Sequence, residues 1–232
     1  MINIENNLKI VRANLNALEQ KYHRKPGSVT LLAVSKQQSF TKMKQAFLAG
    51  QRAFGESYLQ EALEKIQLFQ QEKINHEIEW HFIGGIQRNK TRQIAEHFAW
   101  VHSLDDAMIA KRLNEQRPTH APRLSICIQV NISQEPTKSG VVFDEVFALA
   151  EYCYTLPQLH LRGLMAVPSL QHDFAKQRES FHTLFLLWQA LREKGFALDT
   201  LSMGMSDDME AAIAEGATIV RIGQAIFGER IK

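Results

Sequence analysis

Val29-Thr30-Leu31-Leu32-Ala33-Val34-Ser35-Lys36 decides the fold. The run is short, apolar and without polar alternation, as a strand buried on both faces should be. It closes on a lysine. A lysine there either snorkels from a strand end into water or is an amine held in a pocket. Burial disfavours the charged ammonium, and a neutral amine can attack an aldehyde to form a Schiff base.

Working outward, further apolar runs stand at 53–54, 80–83, 100–102, 124–131, 161–166, 200–203 and 218–222, with the first at 30–35. Helical periodicity opens the chain, where Ile4, Leu8, Val11, Leu15 and Leu18 recur at three- and four-residue steps over 3–22. It returns near 41–49, 56–71, 90–98, 106–115, 143–155, 174–194 and 207–215, and a last short helix is expected to begin near Phe227. Strand and helix therefore alternate, which predicts a parallel sheet covered by helices. Eight such units predict a single (β/α)₈ barrel domain over 1–232 with an extra N-terminal helix. A doubly wound open sheet is the alternative. The segments 117–122 and 133–140 read as loops inside one domain, not linkers.

Composition narrows the function classes. The chain has 232 residues, 45% apolar and 22% charged, with a net charge of +2. That balance predicts no nucleic-acid partner and no membrane-surface partner, and no apolar run reaches membrane-span length. Met1-Ile2-Asn3-Ile4-Glu5-Asn6-Asn7 has neither the basic region nor the apolar core of a signal peptide. Cys127 falls in a strand pattern and Cys153 in a helix pattern, so both are expected as reduced core thiols of a cytoplasmic protein. The nine histidines form no metal motif.

In a (β/α)₈ barrel the active face lies at the C-terminal ends of the strands. There the sequence places Lys36; Gly55-Glu56-Ser57-Tyr58; Gly84-Gly85 with Gln87-Arg88-Asn89-Lys90; Asn131; Met165-Ala166-Val167-Pro168; Ser202-Met203-Gly204-Met205-Ser206; and Arg221-Ile222-Gly223. Packing alone does not explain polar groups and glycines at nearly every strand end. Side chains alternate along a strand, so Leu32, Val34 and Lys36 share a face, as do Ile219, Arg221 and Gly223. If both faces point inward, Lys36 and Arg221 enter the same end of the barrel. The other reading of Arg221 is a structural ion pair with a barrel carboxylate.

Gly204-Met205-Ser206 runs into a helix at 207–215, where Ser206 can cap the helix and free N–H groups can hold an anion. Gly223-Gln224 leaves the last strand with an uncluttered backbone. This is where such barrels commonly bind phosphate; a plain cap and turn is the other reading. Asp207 and Asp208 suit the helix dipole but would repel a phosphate unless turned aside. Gly55 and Tyr58 could shape one wall, or simply start a helix. Arg88 and Lys90 are as readily solvated charge.

The runs LLAVSK (31–36), FGESYLQE (54–61), HFIGGIQRNK (81–90), QVNIS (129–133), GLMAVP (163–168), SMGMSDDMEAAI (202–213) and VRIGQAIFG (220–228) resemble the pyridoxal phosphate homeostasis protein family in order and spacing. SMGMSDDMEAAI together with VRIG carries the most specific part of the match. The resemblance implies a barrel related to the N-terminal domain of alanine racemase, with pyridoxal 5'-phosphate (PLP) bound to Lys36 as a Schiff base. It implies that Arg221 faces the pyridine nitrogen and that Ser206, with the backbone of Gly223 and Gln224, holds the phosphate, with Ser202 close by. Tyr58, Asn131 and Met165 complete the expected cofactor site. Ser57 stands where the family's usual run has asparagine.

The family is implicated in intracellular vitamin B6 balance without an established reaction. A racemase of this fold draws a second base from a C-terminal domain, and the present chain ends soon after its eighth strand pattern. The expectation is therefore a carrier of PLP, not an enzyme, monomeric, with apo PLP-dependent enzymes as acceptors. A racemase-like PLP enzyme is the first alternative, and a phosphosugar enzyme with a Schiff-base lysine the second.

Overall fold

The computed structural model describes residues 2–133, 135 and 138–229. Eight parallel strands close on themselves in chain order: β1 (Thr30–Val34), β2 (Ala53–Glu56), β3 (Glu79–Phe82), β4 (Trp100–Leu104), β5 (Leu124–Gln129), β6 (Leu159–Met165), β7 (Thr200–Ser202) and β8 (Ile219–Ile222). Closure is direct. β8 pairs with β1, with Leu32 beside Arg221 and Ala33 beside Ile222. The barrel is the expected architecture, and the open sheet is excluded.

The helices are α1 (Ile4–Lys21), α2 (Phe40–Leu48), α3 (Leu59–Gln71), α4 (Thr91–His97), α5 (Ala107–Gln116), α6 (Phe143–Tyr154), α7 (Phe174–Glu193), α8 (Met209–Ala214) and α9 (Gln224–Phe227). None of them is long and apolar enough to cross a membrane among the described residues. The extra helix α1 starts at Asn3, whose side chain accepts the Asn6 N–H. Its apolar stripe, Ile4, Leu8, Val11, Leu15 and Leu18, is buried, each such side chain contributing about 1.5–3 kcal/mol. Buried Glu19 accepts N–H bonds from Gly27 and Val29, which fixes the approach to β1.

Strand parity splits the core in two. One large cluster lies between strands and helices. A small one, Leu32, Ala53, Trp100, Cys127, Met165 and Ile219, fills the barrel interior. Leu32 and Ile219 point inward, as the parity argument required. Cys127 and Cys153 are buried free thiols, both pushed up to about 12 by burial.

Several boundaries differ from expectation. β5 stops at Gln129, because the returning loop takes over the pairing: Val141 N–H donates to Gln129 O, and Asn131 N–H donates to Val141 O. Asn131 thus sits past the strand, and the loop expected at 133–140 lies partly outside the described residues. The last helix ends at Phe227 instead of beginning there. α8 begins at Met209 with Asp208 in the cap position, so Ser206 is not its cap.

Candidate functional site

Lys36 follows β1 by two residues and is half-buried at the C-terminal mouth. The chain is pinned on both sides of it. Ser35 N–H donates to Gly55 O, and Gln37, held at φ 59°, donates its N–H to Glu61 Oε1 at 2.6 Å. Behind this turn lies a charged cluster. Buried Lys65 Nζ donates to Ser35 O at 2.7 Å, Glu56 Oε1 at 2.8 Å and Glu61 Oε1 at 2.5 Å. Ser35 Oγ also donates to Glu56 Oε1, at 2.6 Å. Burial pushes the Glu56 carboxyl up, against the pull of Lys65 and Ser35.

Arg221 is buried at the barrel axis. Nη1 donates to Ser202 O at 2.5 Å and Ser202 Oγ at 2.9 Å, and Nη2 donates to Ala166 O at 2.8 Å. These oxygens are neutral, so the ion-pair reading of this arginine does not hold. Burial lowers its pKa to about 10, against the attraction of Asp208, leaving it a cation at neutral pH. Among the described residues, three of its five N–H donors are engaged.

Beneath Arg221 the interior is polar. His102 Nδ1 lies 2.7 Å from Ser202 Oγ, and His102 Nε2 lies 2.8 Å from His81 Nδ1. Burial drives both imidazoles down, His102 well below the usual value, so both are neutral. Neither histidine was singled out in the sequence, where both pass as members of apolar strands. The available signal was parity: His81 shares a face with Ile83, and His102 with Trp100.

The other residues expected at the site stand at or after the C-terminal ends of their strands. Met165 is in the interior cluster, level with Ser202 on the neighbouring strand. Gly223 sits where an added Cβ would come within 3.1 Å of Val34 O, so the backbone there lies close against the end of β1. Gln224 opens α9 and is exposed. Ser206 is exposed in the turn after Gly204, whose φ of 94° and contact with Ala212 admit no side chain. Asp208 is turned aside, accepting the Met205 N–H at 2.6 Å. Tyr58 is 51% exposed in the cap position of α3. Asn131 is committed to its own loop through bonds to Glu135 O and Lys138 O, and its Oδ1 is buried without a partner among the described residues. Ser202 is drawn inside the barrel by Arg221 and His102, away from the exposed phosphate-type turn.

The closed barrel defines the class of protein, and comparison with known proteins gives the family. The family described as "Alanine racemase, N-terminal domain" matches residues 7–231. Pyridoxal phosphate homeostasis proteins of Vibrio alginolyticus and Escherichia coli K12 are 50% and 47% identical, covering 99% of this chain and 99% and 98% of theirs. The PLP-bound structure of PipY from Synechococcus elongatus is 32% identical with a TM-score of 0.84, over 97% of this chain and 100% of that one. Alanine racemase from Corynebacterium glutamicum shares the fold at 18% identity and a TM-score of 0.67, with 61% of its length matched. The present chain belongs to the pyridoxal phosphate homeostasis protein family.

Proposed function

We propose that this protein binds PLP at the C-terminal mouth of the barrel, on Lys36, and serves vitamin B6 homeostasis by holding and handing on the cofactor. The observation that carries the reading is Arg221, a buried cation with two donors unspent among the described residues, in a barrel whose first strand leads to a half-buried lysine. The residues fit the group: an amine for an aldehyde, a fixed donor for a ring nitrogen, and a glycine-lined turn for a phosphate. PLP supplies an aldehyde that condenses with amines and a ring that withdraws electrons when its nitrogen is protonated.

An arginine cannot accept a proton at that nitrogen, only donate a hydrogen bond. Arg221 therefore keeps the ring nitrogen unprotonated and the ring a poor electron sink. That suits storage better than turnover of amino acids. Lys36 holds the aldehyde carbon. Ser206 and the backbone of Gly223 and Gln224 take the phosphate. Met165 floors the site, and Tyr58 and Asn131 border it. The protein works as a cytoplasmic monomer, with apo PLP-dependent enzymes as its acceptors.

Lys36→Ala should abolish the visible band of PLP-loaded protein, and borohydride should tag the Lys36 peptide in the parent. A retained band with the tag at Lys90 or Lys138 would overturn the assignment. The carrier reading is tested in deuterated water with each common amino acid. Deuterium entering the α-position at ~1 s⁻¹ or faster, lost in Lys36→Ala, would make the protein an enzyme. For delivery, an apo-enzyme should regain activity faster with loaded protein plus a free-PLP trap than with trapped free PLP alone.

A further inference from the structure

We propose that His81, His102 and Ser202 form a one-way hydrogen-bond chain through the barrel interior, with the Glu79 carboxylate as the charge at its far end, that positions Arg221 against the cofactor's ring nitrogen. The inference rests on the PLP reading for its last link only. Its geometry stands without it.

The order of the chain follows from its two ends. Arg221 can only donate, so Ser202 Oγ accepts from it at 2.9 Å. The Ser202 hydroxyl then has its own proton to place, and His102 Nδ1, 2.7 Å away, takes it as acceptor. His102 must therefore carry its proton on Nε2, which donates to His81 Nδ1 at 2.8 Å. His81 in turn carries its proton on Nε2, which lies 3.4 Å from Glu79 Oε2, within ion-pair range but outside hydrogen-bond geometry, so this last link is electrostatic. Glu79 can only accept when ionised. The opposite order would set an acceptor nitrogen of His81 against that carboxylate and leave the serine proton unplaced.

The chain is also held sideways. Trp100 stacks on His81, with centroids 5.4 Å apart and planes 7° from parallel, and donates its indole N–H to Glu79 Oε1 at 2.7 Å. Glu79, half exposed at its side chain, borders a cleft of about 480 Å³ at the opposite mouth that Arg162 also lines. A single file of polar atoms thus runs from a solvent-accessible carboxylate at one mouth to the buried guanidinium near the other. Apolar packing would fill the same space at less cost in desolvation. What the polar file adds is a fixed orientation for Ser202 and, through it, for Arg221.

Two measurements test this. In protein free of PLP, ¹⁵N spectra of labelled histidine should show His81 and His102 as neutral Nε2–H tautomers at pH 7, assigned with His81→Gln and His102→Gln. A proton on Nδ1 of either ring, or an imidazolium, would overturn the chain. In PLP-loaded protein, His102→Phe removes the acceptor of the Ser202 hydroxyl, and should shift the visible absorbance maximum and weaken PLP about tenfold, or about 1.4 kcal/mol. His102→Gln, whose side-chain oxygen can accept the same proton, should restore both. An unshifted spectrum in His102→Phe would overturn the positioning role. If His102→Phe does not fold, half-exposed Glu79→Leu against Glu79→Gln asks the same question at the far end. Failure of the parent protein to form a visible band with PLP would instead sink the PLP reading and leave the tautomer result standing.

Discussion

Two polar clusters stand on opposite sides of the barrel wall, and they are built in opposite ways. Outside the wall, Lys65, Glu56 and Glu61 place full charges in direct contact, at 2.8 and 2.5 Å. Inside it, the charges of Arg221 and Glu79 are kept apart by a hydroxyl and two neutral imidazoles. The outer cluster sets one cation between two carboxylates and fixes backbone: Ser35 O and Gln37 N–H, on either side of Lys36, are both held by it. The inner file leaves a cation with donors to spare among the described residues. The contrast separates holding a residue in place from preparing one to meet a ligand.

The largest effect should come from breaking the outer cluster. Lys65→Met leaves the Glu56 carboxylate buried without its cation, and Glu56 Oε2 already lacks a partner. Loss of one member of a buried pair costs about 3–5 kcal/mol. Urea denaturation should show that loss, and Lys65→Met combined with Glu56→Gln should recover much of it. A loss under about 1 kcal/mol, as for an exposed pair, would mean that the outer cluster does not anchor the Lys36 turn.

The inner file should answer to pH. His81 and His102 both have folded pKa values below the ordinary 6.5, because burial penalises the imidazolium. The unfolded chain therefore binds protons that the folded chain refuses. The stability is fully present above about 6.5 and is lost as pH falls below it. The slope is at most about 1.4 kcal/mol per pH unit for each histidine, or about 2.7 for the pair. Denaturation midpoints from pH 7 to 5 should follow that fall, and His102→Gln should remove about half of the slope. An unchanged slope in the variant would place the titrating groups elsewhere and weaken the contrast between neutral file and charged cluster.

How much of this could be read from the chain depends on the range of each contact. The barrel was legible because strands buried on both faces must be apolar and must alternate with helices. The inward faces of β1 and β8 were legible because parity is local: Leu32 and Ile219 fix which way each strand faces. The histidine file was not. His102 and Ser202 are 100 residues apart, on strands that share no edge, and only the closed interior brings them together. Glu61 and Lys65 are a readable i,i+4 pair, but the Glu56 contact needs the turn between β2 and α3. Ser206 shows the limit of local pattern. A serine before an acidic, helix-like run reads as a cap, yet the chain makes another turn and α8 starts three residues later.

Ser206 also supplies the smallest and most selective prediction. It belongs to neither cluster. It is exposed and caps nothing, so Ser206→Ala orphans no buried group, and stability should stay within about 0.5 kcal/mol of the parent. Its proposed role is a hydrogen bond to the phosphate, which bears charge, so its loss should weaken PLP by about 1–3 kcal/mol. Pyridoxal, which has the same ring and aldehyde without the phosphate, should bind the variant as it binds the parent. Fluorescence titration with both ligands separates the outcomes. Equal weakening would mean that Ser206 acts by shaping the turn after Gly204. No weakening of either would remove Ser206 from the site and leave the phosphate to the backbone of Gly223 and Gln224. Selective weakening of PLP alone would define a third kind of polar residue here, exposed, without structural duty, and kept for the ligand.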